Sequence, residues 1–304
     1  MYDYSKFEAA VARRGTLDRN NNNNVVTCEE AARSGCVESL KKARLCGSPW
    51  DESTCVEAAK HGHLHVLKWL RENGCPWNAR TCFAAAKHGH LEILKWAREN
   101  GCPWTASICA AAAAGGHLEV LQWARQNGCQ WDPETCASAA RNGHLEILKW
   151  AHANGCPKNE YTCQAAARTG NLNILKWARF NGFEWDAETC SAAVEGGHFC
   201  ILKWAYVNGC RWNRSTCESA ARNGYLGILK WARENGCPWG PQTCTEAARN
   251  GQMETLLWAH VNGCPWNAQT HTAAHRAGHP EIVMWLKQNG CPSKTAKKRS
   301  PAAR

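Results

Sequence analysis

Cysteine is the most abundant chemically reactive residue in this chain, with 20 copies among 304 residues. Most cysteines fall in two regular series, and a member of one series usually precedes a member of the other by seven residues, as in Cys75 and Cys82. Zinc modules pair cysteines that are two to four residues apart, so this spacing fits a metal site poorly. Residues 1–26 contain no apolar segment of the kind found in a signal peptide. We therefore expect a reducing compartment and buried, reduced, metal-free thiols, with zinc binding and redox sensing as alternatives.

Three histidines near the C-terminus are spaced as metal ligands can be: His271, His275 and His279. His271 and His275 lie one helical turn apart, which a metal accepts, but no carboxylate or cysteine at a matching spacing completes a site. A structural role is the simpler interpretation. The sequence also contains no nucleophile elbow, phosphate-binding loop or pair of carboxylates suited to acid–base catalysis. We therefore predict no catalytic residue, cofactor or metal, and a protein that is not an enzyme.

These residues are set in a repeat of 27 residues that continues without insertion or deletion. Counting each start as position 1, positions 9 and 21 are glycine in every repeat. A fixed period of this length is typical of a solenoid, in which neighbouring repeats bury one another's faces. The starts are Thr27, Thr54, Thr81, Ile108, Thr135, Thr162, Thr189, Thr216, Thr243 and Thr270.

Each repeat carries the signals of two helices. Position 25 is usually Asn or Asp, which favours a helix start, and the glycines at positions 9 and 21 favour helix ends. We expect a first helix over about positions 26 to 8 and a second over about positions 11 to 20. Position 5 is alanine throughout, so first helices can approach closely. All 17 tryptophans fall at positions 16 and 24, where we expect buried indoles that serve packing rather than ligand stacking.

The ends of the chain differ from the repeats. Residues 1–26 resemble a degenerate half-repeat followed by an Asn-rich loop, and we interpret them as an N-terminal cap. Residues 27–292 hold the ten repeats. Residues 293–304 form a basic tail, predicted to be disordered, whose Lys297, Lys298 and Arg299 could act as a nuclear import signal.

The stretch from Thr81 to Ala97, TCFAAAKHGHLEILKWA, resembles the helical half of the ankyrin repeat, and the resemblance extends over residues 27–292. It implies an all-α solenoid of about ten stacked helix-turn-helix repeats. The usual ankyrin unit is about 33 residues, and the six missing here correspond to the β-hairpin fingers, so we expect none. The short repeat, rich in Trp and Cys, is similar to the ankyrin arrays of giant DNA viruses of amoebae. Some of those proteins carry an F-box, and we expect none here because 26 leading residues and a 12-residue tail leave no room for one.

Position 7 is the most informative polar position, because eight of its ten residues are basic and we expect them on the exposed side of the first helix. A solvated consensus position, a recognition stripe for an acidic partner and a phosphate-binding stripe are the three interpretations. Ala114 and Glu195 interrupt the series. The candidate partner-binding residues, which we call the position-7 stripe, are Arg33, Lys60, Lys87, Arg141, Arg168, Arg222, Arg249 and Arg276.

The function predicted from these features is a non-catalytic ankyrin-type scaffold that binds another protein, with an acidic surface favoured and a viral host protein implied by the resemblance. The alternative is a nucleic-acid-binding solenoid that uses the stripe and the tail, although the net charge of +10 lies partly in the tail and does not by itself favour it. No apolar run is long enough for a membrane span. We expect a monomer in the host cytoplasm or nucleus.

Reversing Arg222, Arg249 and Arg276 to Glu should slow association about tenfold or more and change stability by about 0.5 kcal/mol at most per residue.

Overall fold

The computed structural model describes residues 26–293. The predicted N-terminal cap and almost all of the basic tail lie outside these residues, so both interpretations stay predictions. The described part contains helices, turns and loops, and no strand is present between residues 26 and 293. The all-α prediction without β-hairpin fingers is therefore confirmed for this part of the chain.

Ten helix pairs follow one another with the predicted period, and each pair lies within one residue or two of the expected bounds. Odd-numbered helices are the first helices of the repeats and even-numbered helices are the second. The bounds are α1 Cys28–Ser34, α2 Val37–Leu45, α3 Glu52–Lys60, α4 Leu64–Glu72, α5 Ala79–Lys87, α6 Leu91–Glu99, α7 Ser107–Gly115, α8 Leu118–Gln126, α9 Glu134–Arg141, α10 Leu145–Ala153, α11 Tyr161–Arg168, α12 Leu172–Phe180, α13 Ala187–Glu195, α14 Phe199–Val207, α15 Arg214–Arg222, α16 Leu226–Glu234, α17 Pro241–Arg249, α18 Met253–Val261, α19 Ala268–Arg276 and α20 Pro280–Gln288.

The helix ends follow from the side chains and glycines that the sequence places there. The Asp51 carboxylate accepts a hydrogen bond from the Ser53 amide at 2.8 Å and so caps α3, and Asn78 caps α5 through the Arg80 amide at 2.9 Å. Gly62, at position 9, has a φ of 80°, a left-handed conformation that glycine adopts without a steric penalty. Local chemistry therefore starts and stops each helix.

The chain divides into two compact units at Thr135 and Cys136. In the first unit, the first helices α1, α3, α5 and α7 pack side by side, and in the second unit the same holds from α11 through α13, α15 and α17 to α19. The position-5 alanines, such as Ala58 and Ala220, are completely buried between them. Small side chains let these helices approach closely, as predicted.

The position-2 cysteines are completely buried, which confirms that prediction. Where position 22 is also a cysteine, the neighbour of the position-2 thiol is that cysteine of the same repeat, 20 residues later, and not the one seven residues away. The two sulfur atoms lie 3.6 Å apart in the pairs Cys55–Cys75 and Cys109–Cys129. No disulfide joins any cysteine of residues 26–293. Burial raises the pKa of Cys163, whose position-22 neighbour is Phe183, to about 12.

The tryptophans pack against one another, as predicted, but their burial is only partial, because all 17 indoles are half-buried. The indole at position 24 meets the position-16 indole of the next repeat edge to face, with 5.6 Å between ring centroids for Trp77 and Trp96. The guanidinium carbon of Arg71 lies 4.4 Å from the Trp77 centroid. Cation–π contact covers the indole while leaving part of it in water.

The helices of the described region are each seven to nine residues long. Not one of them combines the length and apolar character that crossing a bilayer demands.

Candidate partner-binding surface

Position 7 is the last or nearly the last residue of each first helix. Lys60 ends α3, Lys87 ends α5, Arg222 ends α15 and Arg249 ends α17. A positive side chain in the last turn of a helix complements the negative end of the helix dipole, by about 0.3–1 kcal/mol. The bases at position 7 therefore stabilise their own helices, whatever else they bind.

The structure places the predicted stripe residues at the protein surface. Seven of the eight bases are exposed and Lys60 is half-buried. The first unit carries Arg33, Lys60 and Lys87, and the second unit carries Arg141, Arg168, Arg222, Arg249 and Arg276.

A histidine of the following repeat holds the backbone at position 7. The Nε2 atom of His63 lies 3.0 Å from the carbonyl oxygen of Arg33, and His90 makes the same contact with Lys60. In the second unit His279 contacts the carbonyl oxygen of Arg249, also at 3.0 Å. These histidines satisfy carbonyl groups that the helix end leaves without an intrahelical partner, so they fix the backbone from which the stripe side chains project.

In the first unit one carboxylate joins two stripe residues. Glu57 lies 3.0 Å from Arg33 Nε and 3.5 Å from Lys60 Nζ. Burial raises the pKa of Glu57, but the hydrogen bond from Arg33 and the charge of Lys60 outweigh it, so the pKa lies below its ordinary value. Half of the positive charge of this pair of bases is therefore neutralised.

In the second unit two carboxylates connect three arginines. Glu195 lies 2.7 Å from Arg168 and 3.9 Å from Arg222, so it joins the residues that it was expected to separate. Glu246, only 3% exposed, accepts from Arg222 Nε at 2.9 Å and from Arg249 Nη1 at 2.5 Å. The sequence places Glu246 three residues before Arg249 on the same helix, but it gives no signal for the bond to Arg222, since that contact joins adjacent repeats.

Glu246 corrects one expectation about the triple reversal. Arg222 and Arg249 are exposed, but reversing them would leave a buried carboxylate between two new negative charges. Removing one partner of a buried ion pair costs about 3–5 kcal/mol in general, and the exposure of both arginines lowers that figure here. The limit of about 0.5 kcal/mol per residue is therefore wrong for these two positions.

Two stripe residues make no ion pair with any other residue between 26 and 293: Lys87 in the first unit and Arg276 in the second. The half-exposed ring of Phe83 lies four residues before Lys87, one turn away on the same helix. Arg276 borders a shallow, solvent-open depression on the first-helix surface of α17 and α19. Its lining includes Gln242, Arg249, Gln269, Thr272 and Arg276.

The three C-terminal histidines do not form a joint site. His271 is buried in the core at the position of a cysteine, His275 is exposed, and His279 contacts the Arg249 carbonyl group. Among residues 26–293 there is no group of three or more His, Cys, Asp or Glu side chains that could hold a metal ion.

The sequence of the described region is similar to a known repeat family. The family described as "Ankyrin repeats (many copies)" matches residues 55–98, 82–125 and 108–152. No curated protein matches the chain. The repeats of residues 55–152 are thus ankyrin-like in sequence as well as in their helix pairs.

Solved structures that match this chain include two repeat proteins. The pentatricopeptide repeat protein PPR10, in complex with an 18-nt psaJ RNA element, has a TM-score of 0.45 and 15% sequence identity; the match covers 93% of this chain and 51% of that chain. The human ASB11 ankyrin repeat domain has a TM-score of 0.43 and 19% identity, with 52% of this chain and 84% of that chain covered. The chain therefore spans about half the length of the PPR10 structure.

Proposed function

We propose that this protein is a non-catalytic ankyrin-type scaffold that binds a partner protein on its first-helix surface. The observation that carries the proposal is the depression of α17 and α19, where the unpaired Arg276 and the paired Arg249 stand beside glutamine side chains. Such a surface offers one available positive charge and several hydrogen-bond donors and acceptors. An acidic, polar segment of a partner complements it in charge and hydrogen bonding.

The ion pairs favour a protein over a nucleic acid. Binding to a phosphate backbone depends on cations that can replace condensed counterions. In the second unit, Arg168, Arg222 and Arg249 already share Glu195 and Glu246, so their charge is largely compensated. A protein segment with few acids needs fewer available cations than a phosphate chain does.

The finer proposal concerns the source of the partner. The 27-residue period and the Trp and Cys content resemble the ankyrin arrays of amoebal giant viruses. We therefore propose a host protein as the partner and the host cytoplasm as the place of binding.

A site-specific photo-crosslinking experiment tests the surface and the class of partner together. p-Benzoylphenylalanine replaces Thr272, which lines the depression, and in a control variant it replaces Glu254, which is exposed on the second helix α18. Both variants are irradiated in an amoebal lysate, and the adducts are treated with protease or nuclease. We expect protease-sensitive adducts from the Thr272 variant and far fewer from the Glu254 variant. Nuclease-sensitive adducts, or equal yields at the two positions, would contradict the proposal.

A charge reversal with a matched control tests the role of the stripe. Arg276→Glu and Lys287→Glu change the net charge equally, both residues are exposed, and neither makes an ion pair within residues 26–293, but Lys287 belongs to the second helix α20. We expect Arg276→Glu to slow association with the crosslinked partner by about threefold to tenfold at low salt. Lys287→Glu should have little effect. Equal effects of the two reversals would show that overall charge, and not the stripe, steers the partner.

A further inference from the structure

The outward positions of the second helices follow a charged pattern in most repeats. Positions 12, 15 and 19 lie on one side of these helices, one turn apart. Position 12 is Glu in six repeats and position 15 is Lys in seven. Both residues occur together in α2, α6 and α10, where they form an ion pair: Lys95 Nζ lies 2.8 Å from Glu92, and Lys149 Nζ lies 2.8 Å from Glu146. Position 19 is also Glu in α4, α6 and α16. Every second helix except α12 and α14 thus carries a Glu at position 12 or position 19 on this side.

The second helices of two consecutive repeats in the second unit, α12 and α14, have Glu at neither position 12 nor position 19. Position 12 is Asn173 in α12 and Cys200 in α14, so Lys176 and Lys203 have no acidic neighbour there. Neither lysine makes an ion pair within residues 26–293. Their positive charges are therefore not compensated by a carboxylate in this part of the chain.

Position 19 is a large, exposed apolar residue in the same two helices. Phe180 is 91% exposed and Val207 is 79% exposed. A phenyl ring with nine-tenths of its surface in water is stabilised strongly by any contact that covers it. The six residues Asn173, Lys176, Phe180, Cys200, Lys203 and Val207 are called the α12–α14 patch.

Side-chain contacts show that the two halves of the α12–α14 patch belong to one surface. Lys176 Nζ lies 6.0 Å from the ring centroid of Trp204 on α14. Lys203 Nζ lies 4.3 Å from the ring centroid of Phe199 on its own helix. Both ammonium groups therefore rest on aromatic rings next to the exposed apolar side chains. Apolar area and uncompensated positive charge are combined within two repeats.

We propose that the α12–α14 patch is a second docking surface, for a short acidic segment of a partner protein that carries an apolar side chain beside its carboxylates. Charge complementarity selects the acids, since the two lysines meet no carboxylate in the described part of the chain. Covering Phe180 and Val207 supplies the apolar part of the binding free energy, and the carboxylates orient the segment. This surface lies on the second helices, apart from the position-7 stripe, so it is independent of the proposed function of the first-helix surface.

The test uses the full chain and a defined probe. The probe is an 18-residue amphipathic peptide with glutamates along one side and leucines along the other, labelled with fluorescein, and its twin has lysine in place of every glutamate. Cys200 is exposed within the patch, whereas Cys46 is exposed in the first unit, far along the sequence. The acidic peptide should slow maleimide labelling of Cys200 at least about threefold and leave Cys46 unchanged. The lysine twin should protect neither thiol.

Variants localise the binding. The double variant Phe180→Glu with Val207→Glu introduces at position 19 the residue type that α4 and α6 have there. Both side chains are exposed, so the substitutions should not disturb the fold. We expect this double variant to weaken binding of the acidic peptide at least tenfold. The matched control is Val261→Glu, which changes a residue 80% exposed at the same position of α18, where Glu254 supplies the acid missing from the patch. It should leave binding unchanged.

Three results would overturn the proposal. One is equal binding of the peptide to the double variant and the wild type, and another is equal protection of Cys200 by the two peptides. The third is the absence of peptide binding together with binding of 3:1 phosphatidylcholine–phosphatidylserine vesicles or a 20-nucleotide single strand through the same lysines. That outcome would assign the surface to a membrane or to a nucleic acid instead of a protein.

Discussion

Glu246 contributes both to the stability of the second unit and to the charge of its surface. Replacing it with glutamine should change these two properties in opposite directions. The carboxylate accepts hydrogen bonds from Arg222 at 2.9 Å, Arg249 at 2.5 Å and Gln242 at 2.7 Å. Glu246→Gln preserves the shape of the side chain and removes its charge. Two guanidinium groups then face a neutral amide.

The substitution should destabilise the protein. A buried hydrogen bond to a charged group contributes about 1.5–3 kcal/mol, and two such bonds are weakened. Arg222 and Arg249 are 43% and 50% exposed, however, so water replaces part of what they lose. After that discount we expect a loss of about 1–2 kcal/mol in total.

The same substitution should speed up association with an acidic ligand. At about 8 Å in water, two unit charges interact by roughly 0.5 kcal/mol, and one Debye length of screening at physiological salt leaves about 0.2 kcal/mol. A ligand with three nearby acids therefore gains about 0.6 kcal/mol of attraction, which corresponds to an association rate about threefold higher. Stability and association rate are thus expected to move in opposite directions.

Hydrogen exchange of α17 measures the local loss of stability, which is preferable in a repeat array that need not unfold in one step. Stopped-flow mixing with fluorescein-labelled decaglutamate measures the association rate. Glu254→Gln is the control, since it makes the same charge change on the exposed surface of α18. Unchanged exchange in α17, or an equal rise in rate for Glu254→Gln, would refute the reasoning.

Three further predictions concern other positions. The buried hydroxyl of Thr81 has no hydrogen-bond partner among the described residues, whereas that of Thr189 donates to Asp186 at 3.4 Å; Thr81→Val should therefore be neutral or stabilising by up to about 1 kcal/mol, and Thr189→Val destabilising by about 0.5–1.5 kcal/mol, in denaturant titrations. His271 occupies a cysteine position with its Nε2 atom buried and without a partner, and burial lowers its pKa, so the native state favours the neutral ring and stability falls as the pH drops below about 6.5. His271→Cys should abolish this loss and raise stability at neutral pH by about 1–2 kcal/mol, and an identical pH profile in wild type and variant would contradict it. Deleting residues 293–304 should shift a fluorescent fusion from the nucleus to the cytoplasm if the tail is an import signal, and an unchanged distribution would dismiss that role.

The helix pairs could be predicted because their signals are local. A glycine at position 9 or 21 ends a helix by its own backbone freedom, and Asp51 caps α3 through an amide only two residues away. The buried alanines and cysteines likewise follow from a period that every repeat obeys. Such features need no knowledge of how the repeats are spaced.

The charge network could not be predicted in the same way, because its contacts join side chains 24 or 27 residues apart. Arg222 reaches Glu246 in the next repeat, and Glu195 reaches Arg168 in the previous one. Whether such pairs touch depends on the separation of adjacent helices, which the sequence does not give directly. The partial burial of the tryptophans could not be predicted for a similar reason. Arg71 covers Trp77 only when the loop between these two residues has folded, and the sequence does not show that contact directly.

The hydrogen bonds that His63 and His90 make to the preceding repeat have a consequence for how such a gene can change in length. Excising the 27 residues from Thr54 to Arg80 would bring His90 to the carbonyl group of Arg33, which is the acceptor that His63 uses now. The junction would be rebuilt from identical parts, while Arg33 would lose Glu57 and face an alanine in its place. Unequal recombination between these repeats can therefore lengthen or shorten the array while keeping this hydrogen bond, and each such event rewrites the charges that the array presents to its surroundings.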